Sequence, residues 1–347
     1  MSAVTRSREA LPADVDRLVT DESPFPVGER LVFLQVESPT PRSSTSRSAA
    51  ARSPQPQPAL ARGRRYRVQA PKGTGSSDAD FRALTGVVPS RDVPTYKIPG
   101  YPYDGSFVHR LHRRGYRSAA IHGVTGEFFN RRRAYEEMPW DDLLFREEFL
   151  GRGLVDTEAW AVDDARLLEG RRRPPRRLLG GPDFEPVITA TSHIPFPLAP
   201  ERRVFFPDDT RDRFAYFDSI HYVDAAIGEF MAALPPGTTV VLYGDHVSKM
   251  ENPELGYRQQ LLGEDGCVPF LILESGADLS PGQRVGPEGD ACTLTSLHTF
   301  RYVHQVVLAA DTGEVAAAGD AGGARAIEAP APAAPGARVT TSAGVGP

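Results

Sequence analysis

The chain of 347 residues has two cysteines, three lysines and two tryptophans. No apolar run approaches the ~18 residues of a membrane span, so no transmembrane helix is expected. Met1-Ser2-Ala3-Val4-Thr5-Arg6 is not followed by an apolar core, so no signal peptide is read at the start. Cys267 and Cys292 stand too far apart for a thiolate metal motif. A disulfide between them is compatible with the sequence, and the redox compartment stays open. A net charge of −5 carries no nucleic-acid footprint. With only Lys72, Lys97 and Lys249 as lysines, nearly all positive charge is arginine. Guanidinium groups suit phosphate, although a GC-rich genome is the plainer source of most of them.

What is present is an alternation of apolar strands and helical periodicity. Leu31 to Val36, Ser118 to Ile121, Val187 to Thr191, Thr239 to Tyr243 and Pro269 to Leu273 read as strands. Helices are expected over 78–88, over 107–116, and from about 210 to 234. In the last, Asp208 and Asp209 are placed to cap the start and Pro235-Pro236-Gly237 ends it. Strands alternating with helices imply an α/β fold with a doubly wound, mostly parallel sheet flanked by helices. Residues 1–27 read as a poorly ordered N-terminus, 28–313 as one catalytic domain with a flexible insertion at 39–66, and 314–347 as a disordered Ala/Gly/Pro-rich tail.

The strand ends carry the chemistry. Val240-Val241-Leu242-Tyr243-Gly244 stops at Asp245-His246, both good ligands for a divalent cation. The first strand stops at Glu37-Ser38, another at His122-Gly123, and another at Ser192-His193. Each residue alone is explained as a solvated carboxylate or a hydrogen-bonded core histidine. Together they matter, because parallel strands put their carboxyl ends on one rim, where ligands bind. The segment Gly73 to Phe81 adds small hydroxyls ahead of a helix, an anion seat in which Ser76 or Ser77 is either a helix cap or a nucleophile.

These motifs, in this order, resemble the alkaline phosphatase superfamily in its sulfatase-like branch, and in particular the phosphoglycerol transferases typified by lipoteichoic acid synthase. The resemblance rests on Val36-Glu37-Ser38, on Ser76-Ser77-Asp78-Ala79-Asp80-Phe81, on His122-Gly123 and on Phe128-Phe129-Asn130-Arg131. It continues through Thr191-Ser192-His193-Ile194-Pro195-Phe196, His221-Tyr222-Val223-Asp224 and Tyr243 to His246. It implies one divalent cation held by Glu37, Ser76, Asp245 and His246, with Mn or Mg expected and Zn as a third candidate. It implies Ser76 as nucleophile and His193 as the acid/base group that also touches substrate. Arg131, Phe129 and His122 would line the substrate site. The implied substrate is a phosphorylated polyol, glycan or lipid headgroup. Family members usually work outside the cytoplasm in the cell envelope.

The departures are specific. Ser76 stands where the family usually has Thr, Phe129 where it has Trp, and Asp80 where it has Glu. The family's preceding membrane helices have no counterpart in the sequence, which points to a separate membrane-bound partner or to a non-lipid substrate. A true sulfatase needs a Cys/Ser-x-Pro-x-Arg motif, and Ser38-Pro39-Thr40-Pro41-Arg42 has Thr at the required proline. Sulfate-ester hydrolysis is therefore a second reading. A degenerate relative that only binds anionic glycans is a third.

Overall fold

The computed structural model describes residues 25, 27–39, 63–70, 75–153, 160–170, 182–209, 211–247, 250–252, 257–259, 267–275 and 294–310. Most of the 39–66 insertion, Gly73-Thr74, Cys292 and the 314–347 tail lie outside them. The elements, in chain order, are β1 (Arg30–Val36), β2 (Gly63–Gln69), α1 (Ser76–Thr85), α2 (Phe107–His112), β3 (Arg117–His122), α3 (Arg131–Glu136), β4 (Asp142–Leu144) and α4 (Arg146–Leu150). There follow α5 (Asp164–Gly170), β5 (Asp183–Ile188), α6 (Asp212–Ala233), β6 (Thr239–Gly244), β7 (Met250–Asn252), β8 (Tyr257–Gln259), β9 (Cys267–Glu274) and α7 (Ser296–Ala310).

Seven strands form one sheet in the order β2-β9-β6-β1-β5-β3-β4, and β7-β8 is a separate hairpin. The run from β6 to β4 is parallel, and β1, the middle strand of the seven, pairs β5 and β6. β9 runs antiparallel to both β6 and β2. The carboxyl end of β2 therefore opens on the same rim as those of β1, β3, β5 and β6.

The period of two along each strand separates the two faces. Leu31 and Phe33 of β1, Val241 and Tyr243 of β6, and Phe270 and Ile272 of β9 pack with Phe81, Phe107 and Phe300 from α1, α2 and α7. Val32, Leu34, Val240, Leu242 and Leu271 face the other way, against Leu167 of α5 and Val223, Ile227 and Phe230 of α6. Both faces are covered by helices, which is why the central strands read as continuous apolar runs.

Several expectations shift. The end of the insertion, Gly63 to Tyr66, belongs to an edge strand. The strand expected at 187–191 ends instead at Ile188, because the buried Asp164 carboxylate takes the N–H groups of Ala190 (2.8 Å) and Thr191 (2.9 Å) that a neighbouring strand would otherwise have paired. Helix α6 has Arg211 as N-cap and no side-chain cap. Asp209 turns instead onto the Arg211 N–H at 3.1 Å and its guanidinium. Phe25, inside the stretch read as poorly ordered, is buried against Tyr302, with ring centroids 5.9 Å apart. Helix α7 had no sequence assignment.

Phe33 lies within ring-contact distance of Phe107 (5.7 Å), Phe184 (5.0 Å) and Phe300 (6.0 Å) and has no exposed surface. Phe33→Ala should cost about 3–5 kcal/mol of stability. A denaturant titration should show a lower midpoint with an unchanged slope.

Candidate active site

The site begins with a glycine. Gly75 has φ +88° and ψ −137°, a region essentially open only to glycine. A Cβ there would also lie 3.5 Å from the His246 ring. This backbone turn carries the chain from the edge strand into α1 and makes Ser76 its first residue. Gly75 is the N-cap and no side chain caps the helix, so the capping role considered for Ser76 or Ser77 is not adopted. The Ser76 hydroxyl donates to Glu37 Oε2 at 2.8 Å and lies 3.5 Å from His246 Nε2. Its carbonyl accepts from the Gln35 side chain at 3.2 Å.

Glu37 follows β1 and Asp245-His246 follows β6. A Cβ on Gly244 would sit 2.6 Å from Pro39 Cγ and 2.9 Å from Val268 Cβ, so a glycine is needed where these segments cross. Donor atoms of Glu37, Asp245 and His246 lie within 4.8 Å of one another. His246 Nε2 is 3.3 Å from Glu37 Oε1 and 3.6 Å from Asp245 Oδ2. Asp245 Oδ1 accepts from the backbone N–H of Ser38 (2.7 Å) and of His246 (2.6 Å). Asp245 Oδ2 is buried and has no hydrogen-bond partner among the described residues.

The electrostatics of this pair are unbalanced. Burial, and then the neighbouring Glu37, push the Asp245 carboxyl up to about 7. Burial acts on Glu37 in the same direction, but His246 and His193 outweigh it and hold Glu37 down to about 2. A buried carboxylate oxygen without a donor, a second carboxylate, an imidazole and a serine hydroxyl form a donor set that fits one divalent cation.

The surroundings hold these donors in place. Ser38, at φ +50°, donates its hydroxyl to Glu37 Oε1 at 2.7 Å and lies 3.3 Å from His246 Nδ1. Its carbonyl accepts from Tyr216 at 2.7 Å. The Glu37 N–H donates to Thr189 Oγ1 at 3.0 Å, and its carbonyl accepts from Ser192 at 2.6 Å. Sequence reasoning quoted Ser38 as part of a motif without giving it a role. Gln35 and Tyr216 left no signal beyond being a polar residue in an apolar strand and a position on an apolar helix face.

The remaining expected residues form a second group. His122 is buried, its Nδ1 donates to the Ile188 carbonyl at 3.3 Å, and its Nε2 is 3.5 Å from Arg131 Nη1. Burial and then Arg131 bring its pKa down to about 3, so it is neutral. Arg131 has no exposed surface. Its Nε donates to Asp80 Oδ2 at 2.8 Å, and the same oxygen accepts from Tyr135 at 2.7 Å. Burial opposes the Arg131 charge, but Asp80 beside it keeps the pKa above its ordinary value. Arg131 Nη2 is buried without a hydrogen-bond partner among the described residues, and the Phe129 ring lies 5.4 Å from the guanidinium carbon. The hydrogen-bonded neighbours of Arg131 are therefore Asp80 and His122, and not the Glu37–Ser76 cluster. Asp80, which sequence reasoning noted only as a mild replacement, is its counter-ion. His193 lies five residues beyond β5 on a turn, half-buried, with Nδ1 2.6 Å from the Ile194 carbonyl.

A mostly parallel sheet whose rim gathers two carboxylates, an imidazole and a helix-leading serine is the architecture of alkaline phosphatase-like proteins. One solved member of that superfamily, from Vibrio parahaemolyticus, superimposes with TM-score 0.61 at 18% identity, covering 81% of this chain and 66% of that one. The Sulfatase family model matches residues 64–293, and the chain belongs to the sulfatase family. Glu37 precedes that span and joins the cluster by geometry. Lipoteichoic acid synthase 1 of Bacillus subtilis is 27% identical over 169 residues, 44% of this chain and 25% of that protein. Lipoteichoic acid synthase 2 of the same organism is 28% identical over 167 residues. The chain thus spans about a quarter of the length of the curated relatives it matches. The crystal structure of lipoteichoic acid synthase LtaP from Listeria monocytogenes gives TM-score 0.60 at 22% identity, over 74% of this chain and 68% of that one. Streptococcus pyogenes phosphoglycerol transferase GacH, solved with sn-glycerol-1-phosphate, gives 0.57 at 14% over 91% and 85%.

Two predictions follow from the geometry. Asp80→Ala leaves the Arg131 charge buried and unpaired and should cost about 3–5 kcal/mol in a denaturant titration. Burial pushes the Asp164 carboxyl up to about 7, so the folded chain binds this proton more tightly than the unfolded one. Its stabilising contribution is full below about pH 4 and is lost as pH rises to about 7. Asp164→Asn should flatten that part of a stability-versus-pH curve.

Proposed function

We propose that the chain is a metal-dependent phosphoglycerol-type transferase or phosphodiesterase with Ser76 as nucleophile. The observation that carries this reading is the 2.8 Å bond from Ser76 to Glu37, inside a cluster whose Asp245 Oδ2 is buried and unpaired. Glu37, Asp245, His246 and Ser76 would hold the cation, with Mn or Mg the expected ion. When bound, the cation supplies Lewis acidity and makes the serine hydroxyl easier to ionise.

The residues of the chain do the rest. Gly75 and Gln35 fix Ser76 at the helix start, and Glu37 accepts the hydroxyl proton in the resting arrangement. Ser76 Oγ attacks phosphorus of a glycerol-phosphate ester and an alcohol departs, protonated by His193. A second alcohol or water then takes the phosphoglycerol group from Ser76. Arg131 offers Nη2 to a phosphoryl oxygen, which requires Phe129 to move off the guanidinium. The strained backbone of Phe129 (φ +58°) and Asn130 (φ +64°) suits a segment that rearranges on binding. The substrate we infer is a phosphorylated polyol or a glycan or lipid headgroup.

Among the described residues no helix is long and apolar enough to cross a membrane. Cys267 is disulfide-bonded. A disulfide suits an oxidising compartment, which supports work outside the cytoplasm.

Incubation with Mn and a phosphoglycerol donor, followed by acid quench and intact-mass analysis, should show one phosphoglycerol adduct on the Ser76 peptide. Ser76→Ala should remove the adduct and lower turnover by at least ~10²-fold, the scale of losing one preorganised group. Asp245→Ala should abolish Mn binding in calorimetry. Full Mn occupancy with neither adduct nor turnover would overturn the assignment of Ser76.

A further inference from the structure

The reaction just described leaves Trp160 and Phe128, in a row of aromatic side chains, without a task. Trp160 is 39% exposed, yet its ring is held on two sides. The His193 imidazole lies 4.7 Å from it at a 31° tilt, and Phe128 meets it edge-on at 6.2 Å and 87°. Phe128 contacts Phe129 at 4.5 Å, and Phe129 lies over the Arg131 guanidinium. The row therefore runs without a gap from the buried arginine to the surface. Its backing is firm: the Val162 N–H donates to the Gly123 carbonyl at 2.8 Å, just past β3, and a Cβ on Gly123 would sit 3.1 Å from the Val162 carbonyl oxygen.

An exposed indole costs apolar surface in water, and here it is not left to move freely. A fixed aromatic face beside a hydrogen-bonding group matches one chemistry well, the apolar face of a sugar ring with its equatorial hydroxyls at the rim. His193 supplies that group. Its Nδ1 lies 2.6 Å from the Ile194 carbonyl, so Nε2 is the ring nitrogen left to meet a hydroxyl. An acyl chain would gain nothing from an imidazole at that position.

We propose that Trp160, with Phe128 and His193, is the stacking platform of a carbohydrate subsite, which places a sugar hydroxyl beside His193 as the acceptor or as the departing alcohol. This rests on the function proposed above and names the substrate class on one side of the phosphorus.

The chain has two tryptophans, so an indole-labelled ¹H–¹⁵N spectrum has two Nε1–H peaks, and Trp160→Phe identifies the second. Titration with cellobiose should shift the Trp160 peak saturably and leave the Trp140 peak in place, whereas glycerol at equal concentration should not. Trp160→Ala should raise the half-saturation concentration about tenfold as read on a methyl or amide reporter near His193, and Trp160→Phe should retain most of the affinity. No saturable shift with cellobiose, or a shift with octanoate in its place, overturns the proposal, the latter by showing an apolar-chain site. Mn calorimetry on the same samples separates the two readings. Loss of cation binding with the cellobiose shift intact sinks the proposed catalysis and leaves the platform, and the converse result sinks the platform alone.

Discussion

Two carboxylates at the ends of the two central strands, buried side by side, set the terms for everything around them. Glu37 and Asp245 cannot both be comfortable as anions in a site closed to water. The surroundings resolve this unevenly. Glu37 is kept ionised by imidazoles and by hydroxyls from Ser38 and Ser76. Asp245 has one oxygen held by two backbone N–H groups, and the other, 3.6 Å from His246 Nε2, has no hydrogen bond among the described residues. A site built only for stability would have paired that oxygen, because an unsatisfied buried acceptor is costly. Its persistence makes sense as a coordination position, with the strained φ of Ser38 as part of the cost of aiming it.

The central strands were legible because burial on both faces writes continuous apolar runs, and the rim was legible because those runs stop abruptly at Glu37, His122 and Asp245. The part played by β2 was not. Gly63 to Gln69 sits on the sheet edge, carries Arg64, Arg65 and Arg67 and follows a Ser/Pro/Arg-rich stretch, so neither composition nor periodicity marked it. The end of β5 was misplaced for a tertiary reason: Asp164, more than twenty residues upstream, captures the backbone that would have extended the strand. Cap assignment at α6 failed because Asp209 found a nearer donor in Arg211.

Arg131 and His122 show a subtler limit. Their motif positions led to the expectation that both line a substrate site, and the fold does bring them together. What no local pattern states is that Asp80 holds the guanidinium out of water, its Oδ2 accepting from Arg131 Nε at 2.8 Å and from the Tyr135 hydroxyl at 2.7 Å. The positive charge is thus stored beside the cluster, covered by Phe129, and not displayed on the surface. Charge kept in a low-dielectric pocket acts more strongly on a phosphoryl group than the same charge in solvent.

The position of β2 has a mechanical consequence. Gln69 opposite Cys267 and Tyr66 opposite Phe270 tie β2 to β9, and Gln69 also donates its N–H to the Leu294 carbonyl at 2.8 Å. Ser76 is tied to the middle of the sheet through Gln35 of β1, and to the core through Phe81 and Leu84 of α1. A slip of one side-chain repeat along β2, about 7 Å, would draw Tyr66 and Val68 out of the same core. The reactive hydroxyl and the folded interior therefore share their anchors, and the outermost ladder cannot be loosened without cost to both.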